Sequence, residues 1–256
     1  MSCSEINRLG IKARIRSLVR DNPKLRPAAT FGLATFYKSR TLLSRLTRRR
    51  VIARYLSEQK TRGLHLGCGA NLHLGWLNTD LQVSWPGTVF LDATKTFPLP
   101  DGSMDHVFSE HMIEHVGHGQ GLRLLHEAFR VLKPGGRIRI ATPNLETLLE
   151  LHSREAGADA DEYMTWFATR HMAIESAKVS PALVINHFFY NWDHRFIYNR
   201  ATLEASFCEA GFTDLEWCAV GQSPKPELQN LERHGAALGS ERWNAYETMI
   251  LEGFRP

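Results

Sequence analysis

Leu64-His65-Leu66 runs straight into the turn Gly67-Cys68-Gly69, and this junction constrains the fold more than any other stretch of the 256-residue chain. Glycines carry no side chain, so an apolar strand that ends in Gly-x-Gly lets the backbone approach a ligand closely. Beyond it, short apolar runs alternate with polar turns, the pattern of α/β layers and not of an all-helical bundle. The pattern predicts seven strands, over Gly63–Leu66, Leu77–Asp80, Val89–Leu91, Asp105–Ser109, Arg137–Thr142, Thr213–Val220 and Thr248–Glu252. Apolar positions 122, 125, 129 and 132 predict a helix over Leu122–Leu132 that stops at Lys133-Pro134-Gly135-Gly136. Another, over Thr202–Ala210, is expected to end at Gly211. The expected fold class is α/β, a doubly wound seven-stranded sheet.

Asp80 ends the second predicted strand, where a carboxylate can accept hydrogen bonds from both hydroxyls of a ribose. Asp92 ends the third and can accept a hydrogen bond from an exocyclic adenine amine. Either aspartate would also serve as a plain turn former. Strand ends that converge in this way form the crevice in which open α/β sheets bind ligands. A dinucleotide fits poorly. Leu72 holds the position of the third glycine, Asp80 follows Gly69 by only 11 residues, and the seven residues Ala70 to Trp76 are too few for a proper crossover helix. S-adenosylmethionine carries an adenosine and an amino-acid tail but no phosphate, so it loses little when that helix is rudimentary.

Four segments together resemble the class I S-adenosylmethionine-dependent methyltransferases: Leu64 to Gly69, Phe97 to Asp105, Ser109 to Val116, and Glu127 to Gly136. The resemblance implies a Rossmann-like sheet, from whose pattern this chain departs by a shortened first crossover helix. It also implies S-adenosylmethionine as cofactor and methyl transfer to an oxygen, nitrogen or carbon acceptor. By the same resemblance Gly67, Cys68 and Gly69 would line the methionine and ribose portion of the cofactor. Asp80 and Leu81 would meet the ribose, and Asp92 with Ala93 the adenine. Ser109, Glu110 and His111 would lie where the fourth strand opens toward the transferable methyl group. His65 departs from the pattern, because the family usually has an acidic residue there that helps hold the cofactor's amino group.

A hydroxyl acceptor needs a base, and His111, Glu114, His115, His187, His194 and Tyr198 are the candidates, with His111, His115 and His194 taken as the catalytic set. The aromatic segment Asn186 to Phe196 is a candidate acceptor lid. A rival reading takes His111-Met112-Ile113-Glu114-His115 as the H-x-x-E-H pattern of a zinc-dependent peptidase. Another keeps the nucleoside pocket on a non-catalytic scaffold. Within the preferred reading no metal centre is expected.

Charge divides the chain. Residues 1–62 carry 16 Lys or Arg against three acids, a net of +13, while the remaining 15 basic and 24 acidic residues leave −9 for residues 63–256. The first region reads as a basic helical N-terminal extension, with one helix around Ile11 to Arg20, a break at Asp21-Asn22-Pro23, and another helix around Leu42 to Leu56. The second reads as the methyltransferase domain. Basic helices attract an anionic membrane surface or RNA, and an Arg-rich, acid-poor N-terminus also suits organellar targeting. The longest apolar runs are about four residues, far below the roughly 20 that span a bilayer. Cys3, Cys68, Cys208 and Cys218 lack metal-type spacing and are too few for a disulfide scaffold, so a cytoplasmic location, with or without peripheral membrane attachment, is expected. Small molecules, glycans, lipids and RNA all remain open as acceptors.

Overall fold

The computed structural model describes residues 26–153, 157–172 and 179–256. Helix α1 (Arg26–Glu58) leads into strands β1 (Gly63–Leu66), β2 (Trp76–Asp80), β3 (Val89–Phe90) and β4 (Met104–Glu110). A 3-10 turn at Ile113–His115 precedes α2 (His118–Val131) and β5 (Leu132–Pro143). Helices α3 (Leu145–Glu150), α4 (Ala158–Phe167) and α5 (Pro181–Tyr190) come before α6 (Arg200–Ala210) and β6 (Thr213–Cys218). Two short helices, α7 (His234–Leu238) and α8 (Glu241–Glu247), lead to β7 (Thr248–Phe254).

The strands form one seven-stranded sheet in the order β3-β2-β1-β4-β5-β7-β6. Strands β1 to β5 pair in parallel, and β7 inserts antiparallel between β5 and β6. This is the expected α/β sheet with flanking helices. Register then fixes the site: Leu66 pairs with Thr79 on one side and Ser109 on the other, so Gly67, Asp80 and Glu110 emerge at the same edge. Among the described residues no helix joins β1 to β2. Asn78 does part of its work, its Oδ1 accepting from the His73 amide at 2.9 Å while its Nδ2 donates to the His73 and Trp76 carbonyls.

Two larger apolar clusters and a small one of Phe108, Leu228 and Leu231 hold the fold. One packs Leu64, Leu66, Val107, Ile138 and Ile140 of the sheet against Leu124, Leu125, Val131 and Phe207 of the helices. The other joins Leu148, Tyr163, Phe167, Val184, Phe188 and Trp243, drawn mostly from the segment between β5 and α6.

Several boundaries differ from the sequence reading. Helix α2 starts at His118, four residues before the first apolar position expected, because Gln120 Oε1 caps the Gly117 amide at 3.2 Å and apolar spacing cannot see a polar first turn. Strand β5 starts at Leu132 and absorbs the expected turn 133–136, paired there by Gly135 N donating to Arg255 O at 2.8 Å. β3 ends at Phe90 and β6 at Cys218, each short of its expected end. The helix expected around 42–56 is part of the single 33-residue α1, while Ile11 to Arg20 and the break at 21–23 lie outside the described residues.

Helix α1 covers the edge of the sheet. Ser44 Oγ accepts from Phe90 N at 2.9 Å, and Thr41 Oγ1 accepts from Val83 N at 3.1 Å, which satisfies donors that an uncovered edge would leave open. Ile52 is buried in the main core, and Tyr55 Oη donates to Gly63 O. On the outer side Leu42, Leu43 and Leu46 are exposed among Arg45, Arg49 and Arg50.

Candidate active site

The glycine loop is shaped by two close approaches. Gly67 has φ +66°, and a Cβ there would lie 2.3 Å from Cγ of Met112, so any side chain would push the loop off its neighbour. Gly69 has φ +49°, and a Cβ there would meet nothing within 4 Å, which leaves open space over the loop. Between them Cys68 extends the β1 ladder by donating its amide to Thr79 O at 3.0 Å. Burial pushes its thiol up to about 11, so it stays protonated and unreactive at neutral pH.

Asp80 is tied to this loop. Its Oδ2 accepts from Gly69 N at 2.9 Å and its Oδ1 from Gln82 N at 2.8 Å. A carboxylate has about four lone-pair sites, so capacity remains for two hydroxyls. Free space over the glycines beside a carboxylate with spare acceptors fits the ribose and methionine end of S-adenosylmethionine. Asp92 is more occupied, because Thr94 donates to Oδ1 through both N and Oγ1, and Lys95 Nζ lies 3.1 Å from Oδ2. Partial burial pushes its pKa up, but those partners outweigh it and hold the carboxyl below its ordinary value. Ala93 packs partly buried against the main core, and Leu81 is exposed.

A cavity of about 420 Å³ opens beside the loop. Gly67, Cys68, Gly69 and Asn71 form one wall, and His111, Glu114, His115, Trp192, His194 and His234 stand among its other lining residues. Asp80, Leu81, Asp92 and Ala93 are not among the lining residues, nor is Ser109, whose fully buried hydroxyl makes no hydrogen bond and does not reach the cavity as expected. Glu110 lines the cavity as a tether. Its carboxylate accepts from the Arg233 and His234 amides at 2.8 to 3.0 Å and so fixes the start of α7.

His111 takes a different part from the base expected of it. Its Nδ1 lies 3.3 Å from Glu114 Oε1, its Nε2 3.0 Å from Thr248 Oγ1, and its ring stacks on His234 at 3.7 Å. Burial pushes its pKa down, yet the Glu114 carboxylate outweighs burial and leaves it raised. Burial likewise pushes Glu114 up, and His111 outweighs it and leaves the carboxyl below its ordinary value. With both ring nitrogens engaged, His111 offers no free lone pair to an acceptor's proton.

His194 is the opposite case. Its Nδ1 lies 2.7 Å from Phe188 O and must donate, which leaves the Nε2 lone pair free. Burial lowers its pKa, so the ring is neutral at pH 7. His115 meets it edge to face at 5.0 Å. Of the other candidates, His187 packs edge-on against Trp192 and does not line the cavity. Tyr198 has a buried hydroxyl without a hydrogen bond, pushed up to about 12 by burial, and belongs to the core. From the lid segment Phe188, Trp192 and His194 reach the cavity. The zinc-peptidase reading fails on geometry: an H-x-x-E-H site needs an α-helix, whereas His111 has φ +44° and only a 3-10 turn follows.

His65 lies within β1, its Nδ1 3.2 Å from Asn78 Oδ1 and its ring packed against those of His73 and Phe108, so it does not replace the missing acid. Burial lowers its pKa to about 3 from an ordinary 6.5. Neutral when folded, it takes up a proton on unfolding below pH 6.5. Its contribution is complete above that pH and is lost as pH falls toward 3, at up to about 1.4 kcal/mol per pH unit. His65→Leu is expected to flatten the acid limb of a melting-temperature profile, and an unchanged limb would show that another group controls it.

His234, Glu247 and His171 also line the cavity and carried no sequence signal, since they lie in stretches without strand or helix periodicity.

A family model described as a methyltransferase domain matches residues 64–140. No curated protein matches the chain. Among solved structures it is similar to a SAM-dependent methyltransferase from Archaeoglobus fulgidus, at 17% identity over 88% of this chain and 99% of that one, with a TM-score of 0.48. An S-adenosylmethionine-dependent methyltransferase from Mesorhizobium loti is similar at 17% identity over 77% of this chain and 92% of that one, with a TM-score of 0.45. A complex between the Haloferax volcanii Trm112 methyltransferase activator and a methyltransferase is similar at 17% identity over 83% and 93%, with a TM-score of 0.43.

Proposed function

The chain belongs to the class I S-adenosylmethionine-dependent methyltransferases, and from that premise we propose that it methylates a hydroxyl oxygen of a small molecule that enters the cavity beside the glycine loop. Bound S-adenosylmethionine supplies an electrophilic methyl group, so the protein's own work is to hold the acceptor, exclude water and take up a proton. Gly67, Cys68, Gly69 and Asp80 would hold the cofactor. Trp192 and Phe188 wall the acceptor side and shield it from water. The hydroxyl proton is lost at the cluster of Glu114, His115 and His194.

One observation carries the reading: the same cavity is lined by the glycine loop and by the neutral imidazole of His194, whose Nε2 lone pair is free. An amine acceptor, methylated through its own lone pair, would leave that imidazole without a task. The experiment is a screen of metabolite fractions with a labelled methyl donor, followed by identification of the methylated atom. His194→Ala is expected to lower kcat by about 10²- to 10⁴-fold while S-adenosylhomocysteine affinity changes less than about threefold. Label recovered on nitrogen or carbon would overturn the hydroxyl assignment.

A further inference from the structure

We infer that Glu114, His115 and His194 form a mononuclear site for a divalent transition cation of the zinc or cobalt class at the acceptor end of the cavity. The inference rests on the proposed function only for the place of the acceptor. One donor atom from each residue lies within 4.8 Å of the other two. Two imidazole nitrogens and one carboxylate oxygen suit borderline cations, whereas magnesium and calcium take oxygen ligands. With bonds near 2.1 Å, tetrahedral ligand atoms stand about 3.4 Å apart, so small side-chain rotations close the gap.

The surroundings resemble a prepared metal site more than a chance cluster. Donation from His194 Nδ1 to Phe188 O at 2.7 Å fixes the tautomer and leaves Nε2 to bind, the usual second contact of a metal-binding histidine. Glu114 is fully buried, its Oε2 accepts from Thr142 Oγ1 at 3.0 Å, and its Oε1 makes no hydrogen bond. His111 Nδ1 lies 3.3 Å from that oxygen. Three protein ligands leave further coordination positions open, as in catalytic sites. A cation there lowers the pKa of a hydroxyl held at an open position. The O–H bond then breaks with its electron pair left on oxygen, and the proton passes to solvent. With the cation bound His194 serves as a ligand, and without it the Nε2 lone pair remains the base of the proposed function.

The full chain, stripped of metal with a chelator, is titrated with cobalt chloride and followed by visible absorption. Uptake of one equivalent is expected, with the intense d–d bands of a four- or five-coordinate centre. His115→Ala and His194→Ala should each weaken uptake by about 10²-fold or more, while melting temperature and S-adenosylhomocysteine affinity hold. His187→Ala, outside the cavity, should bind cobalt as the parent does. Parent-like uptake by His194→Ala, or no uptake by a parent chain that still binds S-adenosylhomocysteine, would overturn the site. One-equivalent uptake alongside a product methylated on nitrogen would sustain the metal site and overturn the hydroxyl reading.

Discussion

Arg139→Ala is expected to lower the unfolding free energy by about 3–5 kcal/mol, a large share of what holds a domain together. Arg139 lies in β5 with its side chain fully buried. Its Nε donates to Glu232 Oε1 and its Nη1 to Glu252 Oε1, both at 2.6 Å, and Nη1 also donates to Gln222 O at 2.8 Å. Alanine removes the guanidinium and leaves two buried carboxylates, with Gly221 N donating to Glu232 Oε2 at 2.9 Å and Arg137 Nη1 3.5 Å from Glu252 Oε2 as remaining partners. Truncating one partner of such a network costs far more than the network's net worth, because the remaining charges have already given up water. The damage should reach the cavity too. Glu232 directly precedes Arg233 and His234, whose amides Glu110 holds. Urea unfolding followed by circular dichroism measures the loss, and a decrease under about 1 kcal/mol would show that water reaches the three groups.

Asp80→Ala should weaken S-adenosylhomocysteine binding by about 10²-fold. Two charge-assisted hydrogen bonds to a ribose contribute roughly 1.5–3 kcal/mol each, and part of that is offset by solvent at a carboxylate that is not fully buried. The substitution also releases Gly69 N and so loosens the loop proposed to hold the methionine end. Folding should survive, since Asp80 has no salt-bridge partner among the described residues and its strand pairs on both sides. Titration calorimetry checks this. Asp80→Asn, which keeps an acceptor oxygen for Gly69 N, should fall between parent and alanine, and an unchanged alanine variant would remove Asp80 from the site.

The parts of this protein that sequence discloses are those set by local pattern. The apolar run into Gly67 marks β1 and its loop, and the seven-residue span from 70 to 76 marks the missing crossover helix. Regular apolar spacing found the body of α2 but not its first turn, where His118, Gly119 and Gln120 start a helix without apolar contacts. No periodicity announced α4, because its buried residues pack against Trp243 from a distant part of the chain. The state of His111 was still less accessible. Its sequence neighbourhood offers a histidine near a glutamate, whereas its surroundings depend on the burial of Glu114 and on Thr248, 137 residues away.

The place of β7 bears on how this chain is made. Residues 248–254 lie between β5 and β6, so the growing polypeptide carries an open edge on β5 until that strand has cleared the ribosome. During this interval Arg139 lacks Glu252. Five parallel strands can assemble first, and the β6–β7 pair then closes the sheet as one late-arriving piece. Nascent chains stalled before residue 248 are therefore the form in which chaperones should find this protein most exposed.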